Sequence, residues 1–144
     1  SEFDKVQDAR DELADLELEI EALNTAKNVD INIAEAVLRV DQGNKVSEMT
    51  SKEIKRDVLL YAKKKPKLFL ELVRDDNVQL RNIGIKAVEA GLLKLSGDNR
   101  TFNWASNNRK VLTVPFDENP YSALAAYFKT DDGIEIYQNI EKQL

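Results

Sequence analysis

The chain has 144 residues, 42% of them hydrophobic, which is enough for one modest domain with an appendage or for two small units. It contains no histidine and no cysteine, which excludes a disulfide framework, the usual zinc ligands, an imidazole base and a thiolate nucleophile. Its net charge of −5 conceals a basic segment, residues 51–115, with fourteen Lys and Arg against seven Asp and Glu; residues 1–50 and 116–144 are acidic. The basic segment makes a polyanionic partner compatible with the acidic total.

Residues 1–29 are predicted to form an acidic coiled-coil helix. Six apolar residues are spaced by alternating steps of three and four, which places them on one seam and predicts oligomerisation: Val6, Ala9, Leu13, Leu16, Ile20 and Leu23. The alternative is a helix folded back on the next one, whose Ile31, Ala34 and Leu38 form a matching stripe. Leu18 lies off the seam, which indicates a second contact.

Residues 30–50 are predicted to form a second helix over Ile31–Gln42, ended by Gly43 in a left-handed cap, and a connector. Thr50 and Glu53 have the spacing of a capping box, so a further helix begins after Thr50. The residues of this helix predicted to face a core are Ile54, Val58 with Leu59, and Tyr61 or Ala62.

Pro66 cannot lie inside that helix and predicts a new, short helix over residues 66–74, with Leu68, Phe69 and Leu72 inward. After a turn at residues 75–77, a third helix is predicted over residues 78–90, ended by Gly91. Its core face is Leu80, Ile83, Ala87 and Val88.

After Gly91 the apolar spacing changes from helical to alternating. Residues 101–104 and 110–114 flank an Asn-rich turn, which predicts a β-hairpin. Asn119 with Pro120, and then Asp131, begin two helices within residues 116–144 that pack on the preceding domain. The predicted fold class is therefore mainly α with a small β-hairpin (α+β).

The order of elements over residues 51–115 resembles a winged helix-turn-helix domain, with residues 77–95 similar to its recognition helix and first wing strand. Such domains commonly bind duplex DNA, with the third helix in the major groove and the wing on the backbone or minor groove. The resemblance implies contacts from the turn before the short helix (Lys63, Lys64, Lys65 and Lys67), the third helix (Gln79, Arg81, Asn82 and Lys86) and the hairpin (Arg100, Arg109 and Lys110).

Each of these sets also has a purely structural interpretation, because polar helix faces and lysine runs are commonly just solvated. The functional interpretation depends on the three sets coinciding with the places that a winged helix uses.

Phe102 and Trp104 could stack on single-stranded nucleic acid. Alternate aromatic residues on a hairpin more typically pack on the helices beneath it.

Residues 115–124 and 127–133 and the end of the chain at 140–142 are similar to the C-terminal parts of uncharacterised tailed-bacteriophage proteins, which place a variable coiled coil ahead of a more uniform domain. This resemblance implies a phage source and no particular activity. We see no apolar run long enough to cross a bilayer and no signal peptide, and we expect a protein of the host cytoplasm or of the virion.

Together these patterns predict a non-enzymatic, phage-type nucleic-acid-binding protein that is oligomerised by its N-terminal helix. The expected partners are duplex nucleic acid, a second copy of the chain, and another phage or host protein, with no membrane. We expect no catalytic residue, no metal and no cofactor. The alternative is a virion structural or assembly module that uses the same fold to bind protein.

Overall fold

A computed structural model describes residues 2–144. Its helices are α1 (Glu2–Asn28), α2 (Ile31–Gln42), α3 (Ser51–Lys64), α4 (Pro66–Val73), α5 (Asp76–Glu89), α6 (Pro120–Phe128) and α7 (Asp131–Gln143), with a 3-10 helix over Gly43–Glu48. Its strands are β1 (Leu93–Leu95), β2 (Thr101–Trp104) and β3 (Lys110–Thr113). The predicted fold class, mainly α with a small antiparallel β part and a long N-terminal helix, is confirmed.

The chain divides into two compact units, one ending at Asp75 and one beginning at Asp76. This boundary lies inside the predicted winged-helix range 51–115, between α4 and α5. The first unit therefore contains α1 to α4, and the second contains α5, the sheet, α6 and α7.

The core of the first unit is formed where α1 and α2 each pack against α3 and α4. Its buried residues are Ala22, Ala26, Ala34, Val37, Leu38, Val46, Ile54, Val58, Ala62, Phe69 and Leu70. The prediction that Leu68 faces inward is wrong, because Leu68 is exposed and Leu70 is buried in its place. The other two predicted inward residues are confirmed, because Phe69 is buried and Leu72 packs against this core, as does Val73.

The predicted capping box begins α3. The Thr50 hydroxyl accepts a hydrogen bond from the Glu53 amide at 3.2 Å, and the Glu53 carboxylate accepts one from the Thr50 amide at 3.2 Å. The hydrogen bond from the Thr50 amide, followed by one from the Thr50 side chain, holds the pKa of the Glu53 carboxyl group below its usual value. Gly43 ends α2 and donates its amide hydrogen to the Arg39 carbonyl oxygen. Its φ is 61°, but its ψ of −135° is outside the left-handed helical region that we predicted.

The core of the second unit lies between the sheet and its helices. Its buried residues are Ala87, Leu93, Phe102, Val114, Ala123, Leu124, Phe128 and Ile140. The strands are antiparallel in the order β1-β2-β3, with Thr101 opposite Thr113, so the predicted hairpin corresponds to β2 and β3. The predicted inward face of α5 is confirmed, since Ala87 is buried and Leu80, Ile83 and Val88 pack against this core.

Two glycines allow close approaches within the second unit. A Cβ atom at Gly133 would lie 1.8 Å from the backbone oxygen of Tyr127, so the first turn of α7 can approach the end of α6 only with glycine at this position. A Cβ atom at Gly84 would lie 2.8 Å from a methyl group of Leu124, which is the far end of a side chain. The α6–α7 contact therefore depends more strictly on glycine than the α5–α6 contact does.

Candidate nucleic-acid interface

The four lysines of the first unit lie where α3 ends and α4 begins. Lys63 and Lys64 are in the last turn of α3. Lys65 donates its backbone amide hydrogen to the Tyr61 carbonyl oxygen at 2.8 Å, and Pro66 begins α4. Because Ala62 and Phe69 face the core, the neighbouring lysine side chains point outward, and all four are exposed. We name the surface formed by Lys63, Lys64, Lys65 and Lys67 the lysine surface.

The lysine surface is positively charged and not neutralised by its own unit. Within residues 2–144, none of its four lysines forms an ion pair. Lys65 and Lys67 line a shallow depression of about 420 Å³ together with Pro66, Leu68 and Glu71. Lysine ammonium groups act as compact point charges, which suits them to phosphate contacts. Lys63 and Lys64 also stabilise the C-terminal end of α3 through its dipole, which is a structural role independent of any ligand.

The predicted contact residues of α5 do not form an exposed face. The prediction that Asn82 points outward is wrong, because its side chain is buried at 2% exposure. Gln79, Arg81 and Lys86 are half-buried, and Gln79, Asn82 and Lys86 already have interaction partners within the protein. At 100° per residue, Arg81 lies on a different side of the helix from the other three, so the four predicted contact residues do not share one face.

Arg81 is unusual among the polar side chains of the second unit. Its Nε atom is buried and has no hydrogen-bond partner within residues 2–144. A guanidinium group usually satisfies its donors when it is buried, and the structure offers no physical account of this exception.

The hairpin residues separate into two groups at opposite ends of β2. Arg100 directly precedes β2 in the turn from β1, whereas Arg109 and Lys110 lie in the turn between β2 and β3 and at the start of β3. All three are exposed. The sequence predicted one basic hairpin, and the structure brings only Arg109 and Lys110 together.

The turn before β2, which the Ser-Gly-Asp-Asn cluster at residues 96–99 predicts, holds Arg100 in place. The Ser96 hydroxyl donates to the Asp98 carboxylate at 2.6 Å, and that carboxylate accepts the Arg100 amide at 3.1 Å. The Ser96 hydrogen bond, followed by the backbone bond, holds the pKa of Asp98 below its usual value. The Arg100 Nε donates to the Val114 carbonyl at 3.3 Å, and its guanidinium lies 5.5 Å from the centre of the Phe116 ring.

The turn between β2 and β3 leaves Arg109 and Lys110 more open. The Asn107 side chain accepts the Arg109 amide at 2.9 Å, and the Trp104 amide donates to the Arg109 carbonyl at 2.9 Å. Asn108 has a φ of 58°, a conformation that asparagine tolerates better than most residues. Within residues 2–144, neither Arg109 nor Lys110 forms an ion pair. We name these two residues the hairpin tip.

The aromatic residues of β2 pack as the structural interpretation predicted. Phe102 is fully buried in the second core and forms an edge-to-face contact with Tyr121, with the ring centres 5.7 Å apart. Trp104 is half-buried and packs against the same core. It also borders a depression of about 240 Å³ that contains Ser106, Asn107, Asn139 and Gln143. Phe102 is therefore not available for stacking on a ligand.

The positive charge of segment 51–115 is shared between the two units. Residues 51–75 contain eight Lys and Arg against four Asp and Glu, and residues 76–115 contain six against three. Each unit thus has its own basic surface, the lysine surface in the first and the hairpin tip in the second. The sequence pattern indicated a single basic domain.

The predicted oligomerisation seam of α1 is largely exposed. Val6, Leu13, Leu16 and Ile20 are each more than half exposed, Ala9 is exposed, and Leu23 is half-buried. The fold-back alternative expected α2 to cover this seam, but the main packing partners of α1 are α3 and α4. Leu18 makes the second contact that its position indicated, because it packs against the first core.

No family model, curated protein or solved structure matches this chain. The resemblances to winged helices and to tailed-phage proteins therefore stay predictions. Among residues 2–144, no helix combines the length and the apolar character needed to span a membrane. The same residues contain no cluster of three or more acidic side chains that could hold a metal ion.

Proposed function

We propose that this protein is a non-enzymatic, phage-type nucleic-acid-binding protein that binds the phosphate backbone of a duplex. One observation carries the proposal: four lysines within five consecutive positions are exposed and unpaired on the lysine surface. The resemblance to winged helices also implies DNA contacts from these lysines and from the hairpin tip.

The composition of the exposed cations favours backbone contacts over base recognition. Five of the six residues on the two basic surfaces are lysines, which contact phosphates as point charges, and the only arginine is Arg109. The helix expected to read base edges contributes a buried Asn82 and half-buried neighbours. We therefore expect binding that depends weakly on sequence and strongly on salt.

Self-association through the α1 seam belongs to the same proposal. Two copies joined through α1 bring two weak basic surfaces to one duplex. Once the first copy is bound, the second binds at a high effective concentration, which raises the overall affinity. The acidic remainder of α1 would repel the phosphate backbone, so we expect α1 to hold copies together without contacting the nucleic acid.

Binding of a fluorescently labelled random-sequence duplex, followed by anisotropy at about 50 mM salt, tests the proposal. The test variant replaces Lys63, Lys64, Lys65 and Lys67 by Gln. The matched control replaces four exposed lysines elsewhere in the first unit by Gln, which changes the net charge equally: Lys27, Lys45, Lys52 and Lys55.

At this salt concentration each phosphate contact contributes roughly a tenfold change in affinity. We expect the lysine-surface variant to bind at least 100-fold more weakly and the control variant to bind within a few-fold of the unchanged protein. A protein that does not bind the duplex, or two variants that weaken binding equally, would contradict the proposal.

A second candidate function is a virion structural or assembly module that binds another protein. The observation that favours it is the exposed seam, because contiguous exposed apolar surface commonly marks a protein interface. Absence of duplex binding, together with recovery of a specific phage protein in a pull-down that is lost on Leu13→Asp and Leu16→Asp substitution, would favour this candidate.

A further inference from the structure

The α1 helix uses two different sides for two different contacts. Leu18, Ala22 and Ala26 face the first core. At 100° per residue, the seam from Val6 to Leu23 is centred about 150° around the helix from that side. Leu23, at the end of the seam, is shared between the two sides because it also packs against the first core. The rest of the seam can pack against another helix while α1 keeps its contacts with α3 and α4.

The part of α1 before residue 18 has no covered residue. Every described residue from 2 to 17 is exposed, and a helix of this length without tertiary contacts is marginally stable in water. The seam within it carries Val6, Leu13 and Leu16, each more than half exposed. A partner helix on the seam would both cover these side chains and stabilise this half of α1.

The seam residues favour a two-stranded pairing with a second copy. The alternating steps of three and four make Val6, Leu13 and Ile20 the a positions of a heptad, and Ala9, Leu16 and Leu23 the d positions. A stripe confined to the a and d positions is the narrow seam of a coiled coil rather than the wider apolar face of a bundle helix, so a single partner helix can cover it.

The charges beside the seam favour one orientation over the other. In a parallel, in-register pair, each g residue faces the e residue five positions later in the second copy. Lys5 would then face Arg10 and Glu12 would face Glu17, so both charged pairs would be repulsive. In an antiparallel pair e residues face e residues and g residues face g residues. Arg10 then faces Glu17 in both directions, while Glu12 faces Glu19, so attractive and repulsive pairs balance.

The apolar layers agree with the same orientation. If residue i is level with residue 29−i of the second copy, Val6 packs on Leu23, Ala9 on Ile20, and Leu13 on Leu16. Every layer then combines an a with a d position, and the smallest seam residue opposes a large one. A parallel pair would place Ala9 against Ala9 and leave a gap, which a close-packed core disfavours.

We propose that α1 pairs with the α1 of a second copy as an antiparallel two-stranded coiled coil centred between Ala14 and Asp15. This inference rests on the self-association proposed above and is independent of nucleic-acid binding. It fixes both the number of strands and their direction.

The absence of native cysteine allows single spin labels to be placed by substitution. We choose Asp4→Cys, on the side of α1 away from the seam, and Ala14→Cys as the matched control near the proposed centre. In the antiparallel pair, the two labels at position 4 are offset by about 32 Å along the coil, and the two labels at position 14 by about 1.5 Å. In a parallel pair, both offsets are about zero.

Light scattering and electron–electron distance measurements on the full chain, without nucleic acid, test the inference. We expect a dimer mass, a short distance at position 14 and a distance longer by roughly 15 Å or more at position 4. Equal short distances at both positions would overturn the antiparallel orientation while leaving self-association and duplex binding intact. A monomer or a trimer mass would overturn the pairing itself, and duplex binding by a monomer would show that the nucleic-acid proposal does not depend on it.

Discussion

The close approach of α7 to α6 can be tested by substituting Gly133 with Ala. The added Cβ would lie 1.8 Å from the Tyr127 oxygen and 2.5 Å from its carbonyl carbon. Both atoms belong to the backbone, so no rotamer change can relieve the overlap. The first turn of α7 must move by more than about 1 Å, since contacts below about 3 Å are forbidden by van der Waals repulsion.

The cost of this movement follows from the contacts that it breaks. The Thr130 hydroxyl accepts the Gly133 amide at 3.0 Å as the N-cap of α7, and loss of such a cap costs about 1 kcal/mol. Overpacking adds about 1–3 kcal/mol, and the better helix propensity of Ala returns up to about 1 kcal/mol. We expect Gly133→Ala to lower the free energy of unfolding of the second unit by about 2 kcal/mol.

Gly84→Ala is the matched control. Its Cβ would meet a Leu124 methyl group at 2.8 Å, which a side-chain adjustment can relieve, and the gain in helix propensity offsets the remaining strain. We expect a net change within about 1 kcal/mol of zero. Urea unfolding is followed by the fluorescence of Trp104, the only tryptophan, which packs on the second core. A Gly133→Ala midpoint equal to that of the unchanged protein, or a larger loss for Gly84→Ala, would refute the reasoning.

Three further predictions concern stability: a substitution in the second core, loss of the α3 capping box, and a rise in pH. Phe102→Ala should destabilise the second unit by about 3–5 kcal/mol, measured by the same fluorescence. Thr50→Ala should cost the first unit about 1 kcal/mol through loss of the capping box, measured by circular dichroism in urea. Burial, and then the hydrogen bond with Glu141, raise the pKa of the Tyr137 hydroxyl to about 12. In the unfolded chain a tyrosine hydroxyl loses its proton near pH 10. The free energy of unfolding should therefore fall as the pH rises from 10 towards 12. A phenolate absorbance titration compared with Tyr137→Phe checks this pKa, and an ordinary value would contradict it.

The local elements were predictable from the sequence because their signals are local. The Thr50 capping box, the Pro66 helix start, the Asn119 cap and the hairpin each depend on a few neighbouring residues. The α1 helix was predictable because its apolar period is unbroken over three heptads, while its pairing with a second copy stays a prediction.

The candidate site was less predictable because exposure depends on tertiary packing. The period of α5 identified its inward face, but it could not show that Asn82 is buried as well. The division between Asp75 and Asp76 has no glycine or proline signal, so a continuous charge pattern over residues 51–115 was interpreted as one domain. The attachment of Arg100 to Val114 and Phe116 depends on strand register, which the sequence left open.

The most direct test of duplex binding through the lysine surface is the salt dependence of the binding constant. Each neutralised phosphate contributes about −0.9 to the slope of log K against log salt. We predict a slope of about −3.6 or steeper for the unchanged protein. Replacing Lys63, Lys64, Lys65 and Lys67 by Gln should make the slope shallower by about 3.6, whereas the control at Lys27, Lys45, Lys52 and Lys55 should preserve it. Equal slopes for all three proteins, or no measurable binding at about 50 mM salt, would contradict the account.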